Sequence, residues 1–170
     1  MRQTIHSSLL SACVLLALTL LPSLPVHAED NDNTVIAIIV SSNAEIAPVS
    51  SIALNELRLI YWRKKQYWPG GHPMQPVNLH AEHPLRLLFS KTVLNNLPKE
   101  QSDYWNEQYF HGIRPPRSVQ SEEAMLRFVT DTHGSIGYVD ACHIDRRVRA
   151  ILWITKSGAT TDQPERLGCR

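Results

Sequence analysis

Cysteine, glycine and net charge are the scarce features of this 170-residue chain: it has 3 cysteines, 7 glycines and a formal charge of +1, from 17 basic and 16 acidic side chains. Three thiols are too few for a disulfide-dense miniprotein. Glycine plus proline, 7 + 11 = 18 residues, is too sparse for a collagenous or low-complexity chain. A balanced charge offers no basic face for nucleic acid. The most apolar stretch, Leu9 to Leu21, is 13 residues, short of the ~20 needed to span a bilayer. There is no Gly-x-Ser-x-Gly elbow, no His-Glu-x-x-His pair and no phosphate-cradling P-loop. Glu122-Glu123 reads as a charge pair at a helix start, and Cys142-His143 are neighbours without a built-in catalytic geometry. These absences argue against an enzyme, and no cofactor is called for. What remains, at 43% hydrophobic and 19% charged residues, is the composition of one ordinary globular domain.

The first 28 residues read as a secretory signal peptide. Arg2 precedes the apolar run, Pro22 and Pro25 break it, and Val26-His27-Ala28 places small residues at the −3 and −1 positions of a cleavage site. Leu10-Ser11-Ala12-Cys13 has the local pattern of a lipidation box, but it stands at the start of the apolar run rather than its end. Cleavage after Ala28 gives a chain of 170 − 28 = 142 residues and an expected periplasmic location. Two cysteines survive it, Cys142 and Cys169. In an oxidising compartment an even pair favours one disulfide over two free thiols.

Val35 to Val40 is a continuous β-branched run, the signature of a strand buried on both faces. Leu54, Leu57, Ile60 and Tyr61 recur at helical spacing, with Lys64 and Lys65 beyond them. Trp68-Pro69-Gly70-Gly71 is a turn, and Gln75 to Leu79 a short strand. Pro84 opens a helix carrying Leu85, Leu88, Phe89 and Val93, and a second begins near Pro98 with Tyr104, Trp105 and Tyr109. Ile113 to Arg117 reads as a rigid loop. Ser121 caps a further helix that Gly134 closes, and Ile136 to Val139 is a strand. Val148, Ala150, Leu152 and Ile154 alternate as a strand nearer an edge. Strands alternating with helices predict an α/β domain with a parallel or mixed sheet flanked by helices, over residues 29–156, and a loop-like C-terminal tail over 157–170.

The ordered set Trp68-Pro69-Gly70-Gly71, Pro76-Val77-Asn78, Pro84-x-Arg86-x-x-Phe89, Tyr104-Trp105, Phe110-His111-Gly112, Pro115-Pro116 and Gly134-Ser135-Ile136-Gly137-Tyr138-Val139 resembles the periplasmic phosphate-binding receptors of ABC transporters, which have the type II periplasmic-binding-protein fold. The resemblance implies a single lobe of that fold. It also implies a non-enzymatic solute-binding role with phosphate or another small anion as ligand, linked to ABC-type uptake or sensing. Where the family places a Ser-Gly-Thr turn at a helix start, this chain has His80-Ala81-Glu82-His83-Pro84-Leu85-Arg86.

Ser41, Ser42 and Asn43, after the first strand, and Arg86, near a helix start, are the expected anion ligands. An alternative is a ligand-free interaction module docking on a membrane sensor or transporter through aromatics around Trp62 and Trp68. A third is a metal site using His72, His80 and His83, although their spacing lies on no assured helix and a polar histidine-rich loop explains them as well.

Overall fold

The computed structural model describes residues 34–43, 49–161, 167 and 169. The expected signal peptide, residues 1–28, lies outside the described residues.

Six strands form one mixed sheet in the order β3-β2-β4-β1-β5-β6. They are β1 (Val35–Ser41), β2 (Gln75–Leu79), β3 (Arg117–Val119), β4 (Ser135–Asp140), β5 (Val148–Thr155) and β6 (Thr160–Thr161). The β-branched run of β1 is buried at every position, because it lies between β4 and β5 with both faces covered. β2 runs parallel to β3 and β4, whereas β1 is antiparallel to both β4 and β5.

The helices are α1 (Leu54–Tyr61), α2 (Pro84–Phe89), α3 (Ser102–Phe110) and α4 (Glu122–Asp131). Strand alternation assigns them to faces. A Cβ on Gly137 would meet Met125 and Val129 of α4, so that face of β4 packs against α4. The other face carries Ile136 and Tyr138. There Phe89 of α2 stacks on Tyr138 at a centroid separation of 4.0 Å, and Tyr61 of α1 donates from its hydroxyl to the Val77 carbonyl.

The local signals act as the sequence predicts. Pro84 is the first residue of α2, and the Ser121 hydroxyl accepts from the Ala124 N–H at the start of α4. Gly134 closes the α4–β4 turn at φ +74°, and its position is fixed twice over: a Cβ there would sit 2.2 Å from the Pro73 carbonyl oxygen.

Two short strands depart from the expected pattern. Arg117–Val119, in and beyond the segment read as a loop, adds β3 beside β2. Thr160–Thr161, in the segment read as a tail, pairs with Trp153 and Ile154 of β5 through a turn at Gly158. Strands of two or three residues are too short for a period of two to register. Cys142 and Cys169 form a disulfide across 27 residues, which ties the C-terminal segment to the turn after β4.

Candidate functional site

In open α/β sheets ligands bind beyond the carboxyl ends of the parallel strands. Here that end is where β2 stops at Leu79 and β4 at Asp140, and it gathers the loop His80–His83, the start of α2 and the start of α4. The four expected anion ligands do not converge on it. Ile36 lies opposite Asp140 and Ile39 opposite Gly137, so β1 runs away from this end and delivers Ser41 toward Ser135, where β2 begins. Ser41, Ser42 and Asn43 are therefore at one end of the sheet and Arg86 at the other. The Asn43 N–H donates to Ser41 Oγ in a local turn, and the Ser42 N–H donates to the Arg147 carbonyl, extending the pairing of β1 with β5. The physical reason is the reversed β1, whose carboxyl end is the amino end of its parallel neighbours.

Arg86 is only 6% exposed. It lies on the buried face of α2, where it hydrogen-bonds the Tyr138 side chain and its charge acts on Tyr138 and Tyr61. Burial pushes the Tyr138 phenol up to about 12, against the opposing pull of that guanidinium. The Tyr61 phenol is raised well above its usual value, again by burial first. Tyr138 is tied in by its hydroxyl, which donates to Asn78 Oδ1 at 3.3 Å and accepts from the Leu79 N–H at 3.2 Å.

Arg86 Nη2 donates to Gln101 Oε1 at 3.3 Å, while Nη1 is buried without a partner. No carboxylate pairs with it among the described residues. A guanidinium carries five donors, and a buried charge is normally paired. Arg86 is thus an under-satisfied cation below the end of the sheet where ligands are expected.

The rim above Arg86 is made of histidines and carboxylates. His83 caps α2: its Nδ1 accepts the Leu85 N–H at 3.2 Å, which leaves the imidazole proton on Nε2. His83 accordingly presents an N–H donor, suited to an acceptor ligand and not to a metal ion. Its pKa is lowered, first by burial and then by His80, with Glu122 pulling the other way. His80 Nδ1 sits 3.3 Å from Glu82. Across the sheet end, Glu122 accepts the Asp140 N–H and pairs with His143 at 2.9 Å, which raises the His143 pKa. A cleft of about 310 Å³ lies beside this pair, and Glu123 and Asp145 clasp Arg147 within it. These bonds hold the Glu123 carboxyl down at about 2.

The three histidines of the metal reading separate. His72 lies against His133 at 5.1 Å between ring centroids, at the end where β2 begins, while His80 and His83 meet at the opposite end. The aromatic docking surface is also displaced. Trp68 is buried and donates from Nε1 to the Gly134 carbonyl at 2.9 Å. Trp62 is half-buried between Tyr104 and Trp105. The exposed aromatics are instead Tyr67, Tyr109 and Phe110.

Sequence reasoning missed Gln101 and the inward aim of Arg86. A signal existed: Arg86, Phe89, Ser90 and Val93 recur at helical spacing, and all four are buried.

No family model matches the sequence, and no curated protein does. Solved structures share its fold. An ABC-type phosphate transport receptor from Vibrio cholerae superposes with a TM-score of 0.57 at 22% identity, covering 69% of this chain and 45% of the receptor. A protein described as a phosphate ABC transporter substrate-binding protein, with bound phosphate, from Clostridium perfringens gives 0.57 at 20% identity, covering 69% and 44%. PstS from Borrelia burgdorferi gives 0.50 at 17%, covering 65% and 42%. The chain thus spans less than half the length of these proteins. At such identities the likeness establishes the fold: one lobe of the periplasmic-binding-protein type.

Proposed function

We propose that the protein is an exported, non-enzymatic solute-binding domain for a small oxyanion, phosphate in the first instance, acting with an ABC-type transporter or sensor in the periplasm. The observation that carries this reading is Arg86, a buried guanidinium with an unpartnered nitrogen and no carboxylate against it, below the carboxyl ends of β2 and β4. His83 adds an N–H donor at the rim. The structural neighbours, a phosphate transport receptor and a phosphate-bound substrate-binding protein, support phosphate as the first ligand to test, and the sequence of residues 1–28 supports export. Ser41, Ser42 and Asn43 are not ligands in this reading.

A lone lobe leaves its ligand open to water on one side, so affinity is weaker than in a two-lobed clamp unless a second chain closes over it. A thermal-shift titration with phosphate tests the reading. Binding to the folded state raises the melting temperature with ligand concentration, and a flat response to millimolar phosphate would remove phosphate as the ligand.

A second reading, a ligand-free module docking on a membrane partner, draws on one observation: Phe110 at the end of α3 is 87% exposed and meets the less exposed Tyr109 edge to face.

A further inference from the structure

Three buried side-chain polar atoms lack a hydrogen-bond partner among the described residues: Arg86 Nη1, Ser90 Oγ and Asn96 Oδ1. They belong to a single circuit. Arg86 Nη2 donates to Gln101 Oε1, Gln101 Nε2 donates to the Asn96 carbonyl at 2.8 Å, and the Asn96 N–H donates to the Ser90 carbonyl at 3.1 Å. Ser90 follows Arg86 by four residues on the same helical face, where α2 widens into a π-turn over Ser90–Leu94. Isolated buried orphans are rare in folded proteins, and three in one circuit mark a place built to receive a further group.

Gln101 is the key residue of the circuit. It is 2% exposed, and its Oε1 takes two long bonds, from Arg86 Nη2 and from Trp105 Nε1, each 3.3 Å. A neutral amide oxygen shared at that length is a weak acceptor for a guanidinium, whereas an oxyanion forms shorter, charge-assisted and bidentate bonds. A surface cleft of about 570 Å³ is lined by Leu87, which follows Arg86 in sequence, by Leu97 and Pro98, by Lys99 and Ser102, which flank Gln101 in sequence, and by Ala81 and Glu82. Its walls are largely apolar, with Lys99 and Glu82 supplying one charge of each sign.

We propose that Gln101 is a placeholder for the ligand, and that the ligand is an oxyanion carrying an apolar substituent. Its oxygens replace Gln101 Oε1 on Arg86 and reach Nη1 and Ser90 Oγ, while its body lies against Leu87, Leu97 and Pro98. This rests on the reading of Arg86 as an anion ligand and adds the ligand's chemical class and the group it displaces. Displacement of Gln101 also frees Trp105 Nε1, which stacks with Trp62, so binding changes tryptophan fluorescence.

The test is a fluorescence and calorimetric titration of the whole exported chain with inorganic phosphate, phenyl phosphate and benzoate, the last two separating a phosphate head from a carboxylate head. At least one substituted anion binds five-fold or more tighter than inorganic phosphate, with a change in tryptophan emission. Gln101→Glu places a carboxylate on Arg86 and weakens that binding ten-fold or more, whereas Gln101→Ala leaves it equal or tighter. Thermal melts establish that both variants fold, and Leu97→Ser, which alters only the cleft wall, weakens the substituted anion and spares phosphate. Inorganic phosphate bound equally by native protein and Gln101→Glu, with no gain from a substituent, overturns the placeholder and leaves the solute-binding reading standing. No binding of any of the three anions overturns both.

Discussion

Arg86 is a buried cation whose partners, the Gln101 amide and the Tyr138 phenol, are neutral, and this decides what its replacement does. Removing one member of a buried ion pair strands the other charge, but here there is no carboxylate to strand, and exchanging a buried ionic group for an apolar one of similar volume is often neutral or stabilising. Arg86→Met is therefore expected to melt at or above the native temperature without ligand, as measured by circular dichroism, while losing its response to anions. Two histidines at the same end of the sheet set the pH dependence. His143 has its pKa raised by Glu122, so its contribution is fully present below the unfolded value of about 6.5 and fades as pH rises through the folded value. His83 has its pKa lowered, so its neutral, capping form is favoured above about 6.5 and stability falls as pH drops through the unfolded value toward the folded one. Together they place a local stability maximum near pH 6.5. Nuclear magnetic resonance titration should find His83 below that value and His143 above it, and Glu122→Gln should return His143 toward 6.5. Gly134 is a third sensitive position: Gly134→Ala combines an unfavourable φ with a backbone clash and should cost at least about 2 kcal/mol in denaturant unfolding.

Capping controls the elements that build the site. Ser121 starts α4, which then holds Glu122 over the Asp140 N–H. Ser121→Ala should cost about 1 kcal/mol and loosen the Glu122–His143 pair, seen as a downward shift of the His143 titration. Much of this architecture was legible in residues 35–40, 84 and 121–139, because a β-branched run, a helix-opening proline, a capping serine and a left-handed glycine each impose a local conformation. The direction of β1 was not legible. Burial on both faces reads the same whether a strand runs up or down, and only the pairing with β4 and β5 fixes it, which is why the separation of Ser41, Ser42 and Asn43 from Arg86 is not visible in the sequence. Arg86 was legible near a helix start, and its helical spacing with Phe89, Ser90 and Val93 points inward, against the general rule that arginine is rarely buried. Gln101 carries no signal of its own, because its bond to Arg86 arises from the tertiary placement of the 3-10 turn Pro98–Gln101 against α2.

At the scale of the whole molecule, the sheet has α4 on one face and α1 and α2 on the other, and the Cys142–Cys169 disulfide joins its C-terminal segment to the turn that carries His143. In the chain-entropy view a loop of 27 residues contributes roughly 3–4 kcal/mol, so Cys142→Ser/Cys169→Ser should lose about that much in denaturant unfolding. The same domain spans less than half of the proteins that share its fold, and the proposed function depends on whether the buried guanidinium holds an anion. Calorimetric titration of phosphate into native protein and Arg86→Met asks this directly. Saturable heat in the native protein that vanishes in a folded Arg86→Met variant is the predicted result, and identical heats in the two proteins would contradict it.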